Sequence, residues 1–360
     1  MANVIDLFCG CGGFSKGFEQ AGFNVKLGTD VWNDALVTYK ENFPKAEVLC
    51  KDITNVNAKE LLALSNLSVS DVDVIIGGPP CQGFSVSGKR ILEDPRNILY
   101  KSFVRLVSEI QPKVFVMENV PGLVRLFDGQ VKQQVIDNFT NIGYRVFFKQ
   151  LTACDYGVPQ SRKRIFFVGL NERKIKDFSF TFPTPSYGTK DKEYVTCEDA
   201  LSDLDFIGDS KKLSDEDAYI KPALSDYQKL MRTGSEHLYN HVTTIHTEKT
   251  RSIISIVPDG GNYKDLPKEL QATRNVHIAW TRMNSKKPCF TIDTGHNHHF
   301  HYRANRVPTV RESARIQSFP DKFKFIGIKT SQLKQVGNAV PPLMAEALAN
   351  EVMNLLTKNK

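Results

Sequence analysis

Three short stretches of this chain carry residue types that could do covalent chemistry: a thiol, a carboxylate and a run of cations. Pro79-Pro80-Cys81-Gln82-Gly83-Phe84-Ser85 follows the apolar run Val72-Asp73-Val74-Ile75-Ile76. Two prolines restrict the backbone ahead of the thiol, so the cysteine sits in a stiff loop. A free thiol is largely protonated at neutral pH, and a nucleophilic one needs local activation. Glu118-Asn119-Val120 ends a second apolar run, Val114-Phe115-Val116-Met117. A carboxylate there is costly to bury without a partner. Such a group shares a proton with a ring nitrogen when its pKa is raised. Gln160-Ser161-Arg162-Lys163-Arg164 places three cations in succession before a third apolar run. Strand alternation would set Arg162 and Arg164 on one face, where a planar acceptor or a phosphate suits them. The plain alternatives are a buried structural cysteine, a solvated strand-end acid and a charged sheet edge.

The elements that must position these residues alternate between strand and helix. Strands are expected at Val4–Phe8, Asn24–Thr29, Val72–Ile76, Val114–Met117, Tyr144–Gln150 and Arg164–Gly169. Helices are expected at Phe14–Gln20, Asn33–Asn42, Ile98–Ile110 and around Val131–Asn138. This pattern implies βαβ units and a mostly parallel sheet. Ligands of such sheets sit outside the carboxyl ends of the strands. The unusual residues cluster there: Gly10, Gly12 and Gly13, then Asp30, then Pro80-Cys81, then Glu118-Asn119. A glycine turn between strand and helix brings backbone N–H groups against a nucleotide-like ligand. Ser15 stands where a dinucleotide-binding loop would have its third glycine, which weighs against a nicotinamide or flavin. Asp30 is placed either to take a ribose hydroxyl pair or to cap the helix from Asn33.

Composition sets outer bounds. The chain has 360 residues, which fits one large domain plus a smaller one. It is 41% hydrophobic and 24% charged, ordinary for a globular protein, and no window is apolar enough to span a bilayer. Its N-terminus lacks signal-peptide features, so a cytoplasmic location is expected. A net charge of +7 permits a polyanionic partner without demanding one. The seven cysteines are irregularly spaced and form no C-x-x-C pair, against both a disulfide framework and a zinc ribbon. No metal is expected: His296-Asn297-His298-His299-Phe300-His301 lies in one loop with no cysteine at ligand spacing.

Regular periodicity fades after Phe182-Pro183-Thr184-Pro185 and returns near Thr309–Ile316. The division expected is residues 1–185 with 335–360, and residues 186–334 as a smaller unit of loops and short strands. Gly337-Asn338-Ala339-Val340-Pro341-Pro342 reads as a tight turn and Leu343–Leu356 as a helix. The middle region interleaves cations, among them Arg282 and Lys286, with Tyr194, Tyr239, Tyr263 and Trp280. That suits phosphate contacts with some base readout, although each single lysine reads more simply as a solvated side chain.

Taken together, these segments resemble the cytosine-5 DNA methyltransferase family, in its order and over nearly the whole chain. Phe8–Gly13 is similar to the cofactor loop, Pro80-Cys81-Gln82 to the catalytic motif, Glu118-Asn119-Val120 to the acid motif and Gln160-x-Arg162-x-Arg164 to the basic motif. Arg311-Glu312-Ser313-Ala314-Arg315-Ile316-Gln317-Ser318-Phe319-Pro320 and Gly337–Pro341 are similar to the two C-terminal motifs. The resemblance implies a Rossmann-like S-adenosylmethionine-dependent catalytic domain and a target-recognition domain. It implies that Cys81 adds to carbon 6 of a cytosine flipped out of double-stranded DNA. Glu118 would meet ring nitrogen 3 and the amino group, and Arg164 the carbonyl oxygen, with Asn119 and Arg162 supporting them. For the cofactor it implicates Phe8, Gly10, Gly12, Asp30, Val31, Trp32, Asp52, Ile53, Pro80 and Asn338. Aspartate at position 30 departs from the family's usual glutamate. For DNA it points to Ser85, Lys89, Arg90, Gln160, Arg282 and Lys286, the first three in a loop that closes over the flipped base.

Other readings compete. Cys289-Phe290-Thr291 is shared with a tRNA-methylating branch, but Ile292-Asp293-Thr294-Gly295 does not continue that pattern. A non-catalytic relative would have lost the cysteine, acid or glycine loop. A nucleotide-dependent oxidoreductase leaves Cys81, Glu118 and the arginines unexplained. The compact layout looks like a bacterial or phage modification enzyme. The expected setting is a monomer acting on DNA, with a cognate restriction endonuclease working independently.

Overall fold

The computed structural model describes residues 1–80, 98–204, 216–271, 280–294 and 299–359, with the backbone alone for 125–128. Cys81, Ser85, Lys89 and Arg90 lie outside the described residues, as do His296 and His298. The chain forms two compact units. One comprises Met1–Thr152, Lys163–Thr184 and Met344–Lys360; the other comprises Ala153–Arg162 and Pro185–Leu343.

The first unit is built on seven strands: β1 (Asn3–Leu7), β2 (Asn24–Asp30), β3 (Glu47–Cys50), β4 (Val74–Gly77), β5 (Val114–Asn119), β6 (Tyr144–Thr152) and β7 (Lys163–Asn171). Their order in the sheet is β3-β2-β1-β4-β5-β7-β6. The first five run parallel, and β7 runs antiparallel to both β5 and β6. The connecting helices are α1 (Gly13–Gln20), α2 (Asn33–Asn42), α3 (Ala58–Ser65), α4 (Ile98–Ile110) and α5 (Gln130–Asn141). The mostly parallel sheet expected from the alternating pattern is present. The chain moves outward from β1 to β2 and β3, then returns to β4 on the other side of β1. That reversal opens a crevice at the carboxyl ends of β1 and β4.

The sequence reading passed over β3 and α3. β3 has four residues at the sheet edge, too few for an alternation to show. α3 is held by its cap: the Asn57 side chain accepts the Glu60 N–H, and Asn66 ends the helix in a left-handed conformation. The core beneath α4 and α5 is aromatic. Phe115 stacks on Phe139 at 3.9 Å between centroids, and Phe103 meets both edge-on. Burying each such ring contributes about 1.5–3 kcal/mol.

The second unit is more helical than expected. Its helices are α6 (Cys197–Leu201), α7 (Asp226–Arg232), α8 (Glu248–Ser255), α9 (Lys268–Gln271), α10 (Val310–Ile316) and α11 (Lys329–Asn338), before α12 (Pro342–Lys358). Among the described residues its strands pair as two-residue ladders, β8 (Glu216–Asp217) with β9 (Leu238–Tyr239) and β10 (Thr281–Arg282) with β11 (His299–Phe300). The expected turn at 337–342 is corrected in part. Gly337 and Asn338 close α11, whose buried face is largely polar, with Ser331, Gln332 and Gln335 among its buried residues, so no apolar period marks it. A side chain at Gly337 would meet the Asp293 carbonyl oxygen at 2.4 Å, so only glycine lets these backbones touch.

The motif in α10 is a buried scaffold of ion pairs. Thr309 and Glu312 form a capping box. Glu312 also takes both Arg306 Nη atoms, at 2.6 and 2.7 Å. Arg311 donates to the carbonyls of Tyr239, Pro320 and Phe323. Arg315 joins Asp203 and Asp321, its Nη1 at 2.7 Å from one and its Nη2 at 2.6 Å from the other. All three arginines are fully buried. Removing one partner strands the others' charge, at a cost of about 3–5 kcal/mol. Arg315→Met should therefore lower the stability of this unit by that amount in denaturant unfolding. A change below about 1 kcal/mol would contradict this assignment.

Candidate active site

The carboxyl edge of the parallel strands carries a row of chemically distinct residues. Reading along the sheet order, β3 ends before Asp52, β2 at Asp30, β1 before Phe8, β4 before Gly78-Pro79-Pro80, and β5 at Glu118-Asn119.

The glycine loop takes a left-handed backbone at alternate residues: Phe8 at φ 64°, Gly10 at 51° and Gly12 at 97°. For phenylalanine that conformation is strained, and such strain collects at ligand sites. Asp30 holds the loop in place. Its Oδ2 accepts the Gly10 N–H at 2.9 Å and its Oδ1 the Trp32 N–H at 2.9 Å. Each oxygen keeps a second acceptor direction. The first turn of α1 has no side-chain cap, and an uncapped helix start favours an anion or a polar ligand. A Cβ placed on Gly10 would meet nothing within 4 Å, which leaves the loop open above it. Asp52 caps its own turn, with Oδ1 accepting from the N–H and hydroxyl of Thr54. Those bonds hold its carboxyl below the usual carboxylate range. Ile53 is buried, Val31 is 72% exposed and Trp32 is partly exposed. The cradle therefore offers two carboxylates for hydroxyl and amino groups, an apolar wall and a glycine loop fixed by the bonds of its own N–H groups to Thr29, Asp30 and Cys9. That set fits an adenosine attached to an amino acid.

Glu118 and Arg164 meet across the β5–β7 pairing, where Glu118 faces Phe166 and Asn119 faces Ile165. Arg164 Nε lies 2.8 Å from Glu118 Oε1, both side chains only 14% exposed. Arg164 Nη1 donates to the Lys163 carbonyl at 2.7 Å. Among the described residues, Glu118 Oε2 and Arg164 Nη2 have no protein partner. The pair thus keeps one acceptor and one donor that the described residues do not use. A side chain on Gly78 would approach Oε2 to 2.9 Å, so Gly78 leaves that oxygen its room. Asn119 Nδ2 donates to the Pro79 carbonyl at 2.9 Å, pinning the chain two residues before Cys81. The sequence reading missed Gly78, which looked like an ordinary strand end.

Other expected residues take different places. β7 begins at Lys163, so Arg162 precedes the strand and does not share its face with Arg164. Arg162 is buried in the second unit, donating to the carbonyls of Ile292 and Gly337. Gln160 is fully buried there, bonding the Ile316 carbonyl, Gln317 and the Ile292 N–H. Arg282, expected at DNA, is also buried; its guanidinium is spent on the carbonyls of Ile254, Val257, His301 and Ala304 and on Asn305. Direct contact with a phosphate would require unpairing all of these. Lys286 is exposed and paired with Glu198, and Asn338 is exposed at the end of α11. His301 Nδ1 accepts the N–H groups of Arg303 and Ala304, so that nitrogen serves its loop.

Comparison with known proteins supports the same reading. The C-5 cytosine-specific DNA methylase family model matches residues 2–354. The Type II methyltransferase M.DdeI of Desulfomicrobium norvegicum is 41% identical, with 97% of this chain and 88% of that one covered. The Type II methyltransferase M1.HphI of Haemophilus parahaemolyticus is 39% identical, over 98% and 87%. A solved structure described as a DNA modification methyltransferase encoded within an E. coli prophage superposes with a TM-score of 0.80 at 30% identity, over 99% of this chain and 100% of that one. With its sheet, glycine loop and acid–arginine pair, this chain belongs to the C-5 cytosine-specific DNA methylase family.

Proposed function

We propose that this enzyme methylates carbon 5 of one cytosine within a specific site of double-stranded DNA, with S-adenosylmethionine as methyl donor and Cys81 as nucleophile. The observation that carries the reading is the Glu118–Arg164 pair, whose Oε2 and Nη2 have no partner among the described residues. An acceptor and a donor in that arrangement match protonated nitrogen 3 with the amino group, and the carbonyl oxygen, of a cytosine lying flat against them. Neither edge is reachable in a duplex, so the base must leave the stack at a cost of a few kcal/mol.

In this scheme the Cys81 thiolate adds to carbon 6, and Glu118 and Arg164 hold the electron density displaced into the ring. Carbon 5 becomes nucleophilic and takes the methyl group. Loss of the carbon 5 proton then expels Cys81 and restores the aromatic ring. Asn119 serves by fixing the Pro79 carbonyl and hence the approach of the loop. The bound donor supplies an electrophilic methyl group on a cationic sulfur. Phe8, Gly10, Gly12, Asp30, Val31, Trp32, Asp52, Ile53, Pro80 and Asn338 would hold it. Ser85, Lys89, Arg90 and Lys286 are offered as DNA contacts; Gln160, Arg162 and Arg282 act through the scaffold of the second unit, which we assign to target recognition. The relatives called Type II methyltransferases support a role in protecting host DNA against a separately acting endonuclease. A cytoplasmic monomer suits that role, and among the described residues no helix is long and apolar enough to cross a membrane.

Incubation with methyl-labelled S-adenosylmethionine and unmethylated duplex DNA, followed by digestion to nucleosides, should place the label in 5-methylcytosine. Cys81→Ser should reduce it to background. Label in another base, or undiminished label in the variant, would refute the scheme. Gly78→Ala should crowd Glu118 Oε2 and lower kcat about a hundredfold, the scale of an ångström misplacement, with KM for DNA little changed. An unchanged kcat would show that Oε2 needs no such room.

A further inference from the structure

A carboxylate that the reaction above does not use lies beneath the glycine loop. Asp6, in β1, is 1% exposed. Its Oδ2 accepts the Ser15 hydroxyl at 2.6 Å, and Ser15 in turn lies 2.8 Å from the Tyr39 hydroxyl. Its Oδ1 is buried with no hydrogen-bond partner among the described residues. The groups that surround this cluster are Asp30 on β2, Cys9 and Cys11 in the loop, Tyr39 on α2 and, further out, Glu19 on α1. The cation of α1, Lys16, is engaged by Glu19 at 2.5 Å. Asp6 makes no ion pair among the described residues. A buried carboxyl without a counter-charge is held neutral. Burial, with Asp30 adding to it, pushes Asp6 up to about 8. The same surroundings push the Cys9 thiol up and that of Cys11 to about 12. This pocket repels negative charge, and among the described residues no cation pairs with Asp6.

We propose that Asp6, seated by Ser15 against the Phe8–Gly12 loop, makes the cofactor cradle charge-selective, favouring the cationic sulfonium donor over the neutral thioether product and releasing a proton as the donor binds. The inference rests on the S-adenosylmethionine reading and deepens it. A cation beside Asp6 stabilises its ionised form, and by reciprocity the ionised form tightens the hold on the cation. Loss of the methyl group removes the charge at sulfur and lets Asp6 take a proton again, so turnover itself weakens the grip on the product. The third-glycine position of the loop is thereby explained: Ser15 there supplies the hydroxyl that tunes Asp6.

The test is calorimetric binding of S-adenosylmethionine and S-adenosylhomocysteine to the full chain between pH 6 and 9, in buffers of differing ionisation enthalpy. Asp6→Asn gives the baseline that contains the ligands' own titrations. The preference for donor over product, wild type relative to Asp6→Asn, should be near one at pH 6 and rise about tenfold or more by pH 8.5, one pKa unit of coupling being a factor of ten. Donor binding to wild type should release a proton that the variant does not. Ser15→Ala, which removes the bond favouring the ionised form, should move the rise to higher pH; it also decides the question if Asp6→Asn fails to fold. A preference with the same pH dependence in wild type and both variants would overturn the inference while leaving the cofactor reading intact. Failure of wild type to bind either ligand would overturn both.

Discussion

The reversal of one strand is the constraint on which the reactive edge depends. In a sheet whose other neighbours of β5 run parallel, β7 enters antiparallel. Its first residues therefore arrive where β5 ends, and Arg164 reaches Glu118. A parallel β7 would deliver Asn171 there and leave the acid without its guanidinium. The pairing fixes Glu118 Oε1 and leaves Oε2 facing the Gly78 side. Asn119, the next residue on β5, ties the same edge to Pro79. One register thus sets the acid, its partner and the tie to the Pro79 carbonyl.

On the other side of the chain reversal, charge rather than pairing is decisive. Asp30 binds the glycine loop through the Gly10 N–H and its own strand end through the Trp32 N–H, and Asp6 lies buried below the loop with no ion pair among the described residues. Of the left-handed residues Phe8, Gly10 and Gly12, Gly10 has open space above it, while Gly12 packs against Tyr39 and Phe43. An enzyme whose donor loses its positive charge in the act of transfer gains from such a pocket, because binding strength then follows the chemical state of the ligand.

Much of this was legible in the sequence, and the reasons differ by element. The strands and helices around the crevice were found because their apolar runs are long and buried, as in α4 and β5. Glu118, Asn119 and Arg164 stood out because polar residues at the ends of apolar strands are rare without a purpose. What escaped was set by contacts distant in sequence. Nothing local tells that Arg162, Gln160 and Arg282 turn inward to satisfy carbonyls, since an arginine at a surface and one in a scaffold read alike. The same holds for α10, whose arginines read as motif residues and proved to be buried ion pairs. α11 was read as a turn at its end because its apolar residues are few. Gly78 matters through a side chain it lacks, which only the position of Glu118 reveals.

The central claim is that a cytosine is attacked covalently at this edge while Glu118 and Arg164 hold its ring. It is tested most directly by incubating the protein with S-adenosylmethionine and a duplex carrying 5-fluorocytosine at the modified position. Fluorine at carbon 5 cannot leave as a proton does, so the adduct should stall. A stable protein–DNA species should form whose mass equals enzyme plus one methylated strand, with the attachment mapped to Cys81 and its yield cut sharply in Glu118→Gln. No covalent species, or one attached through another residue, would contradict it.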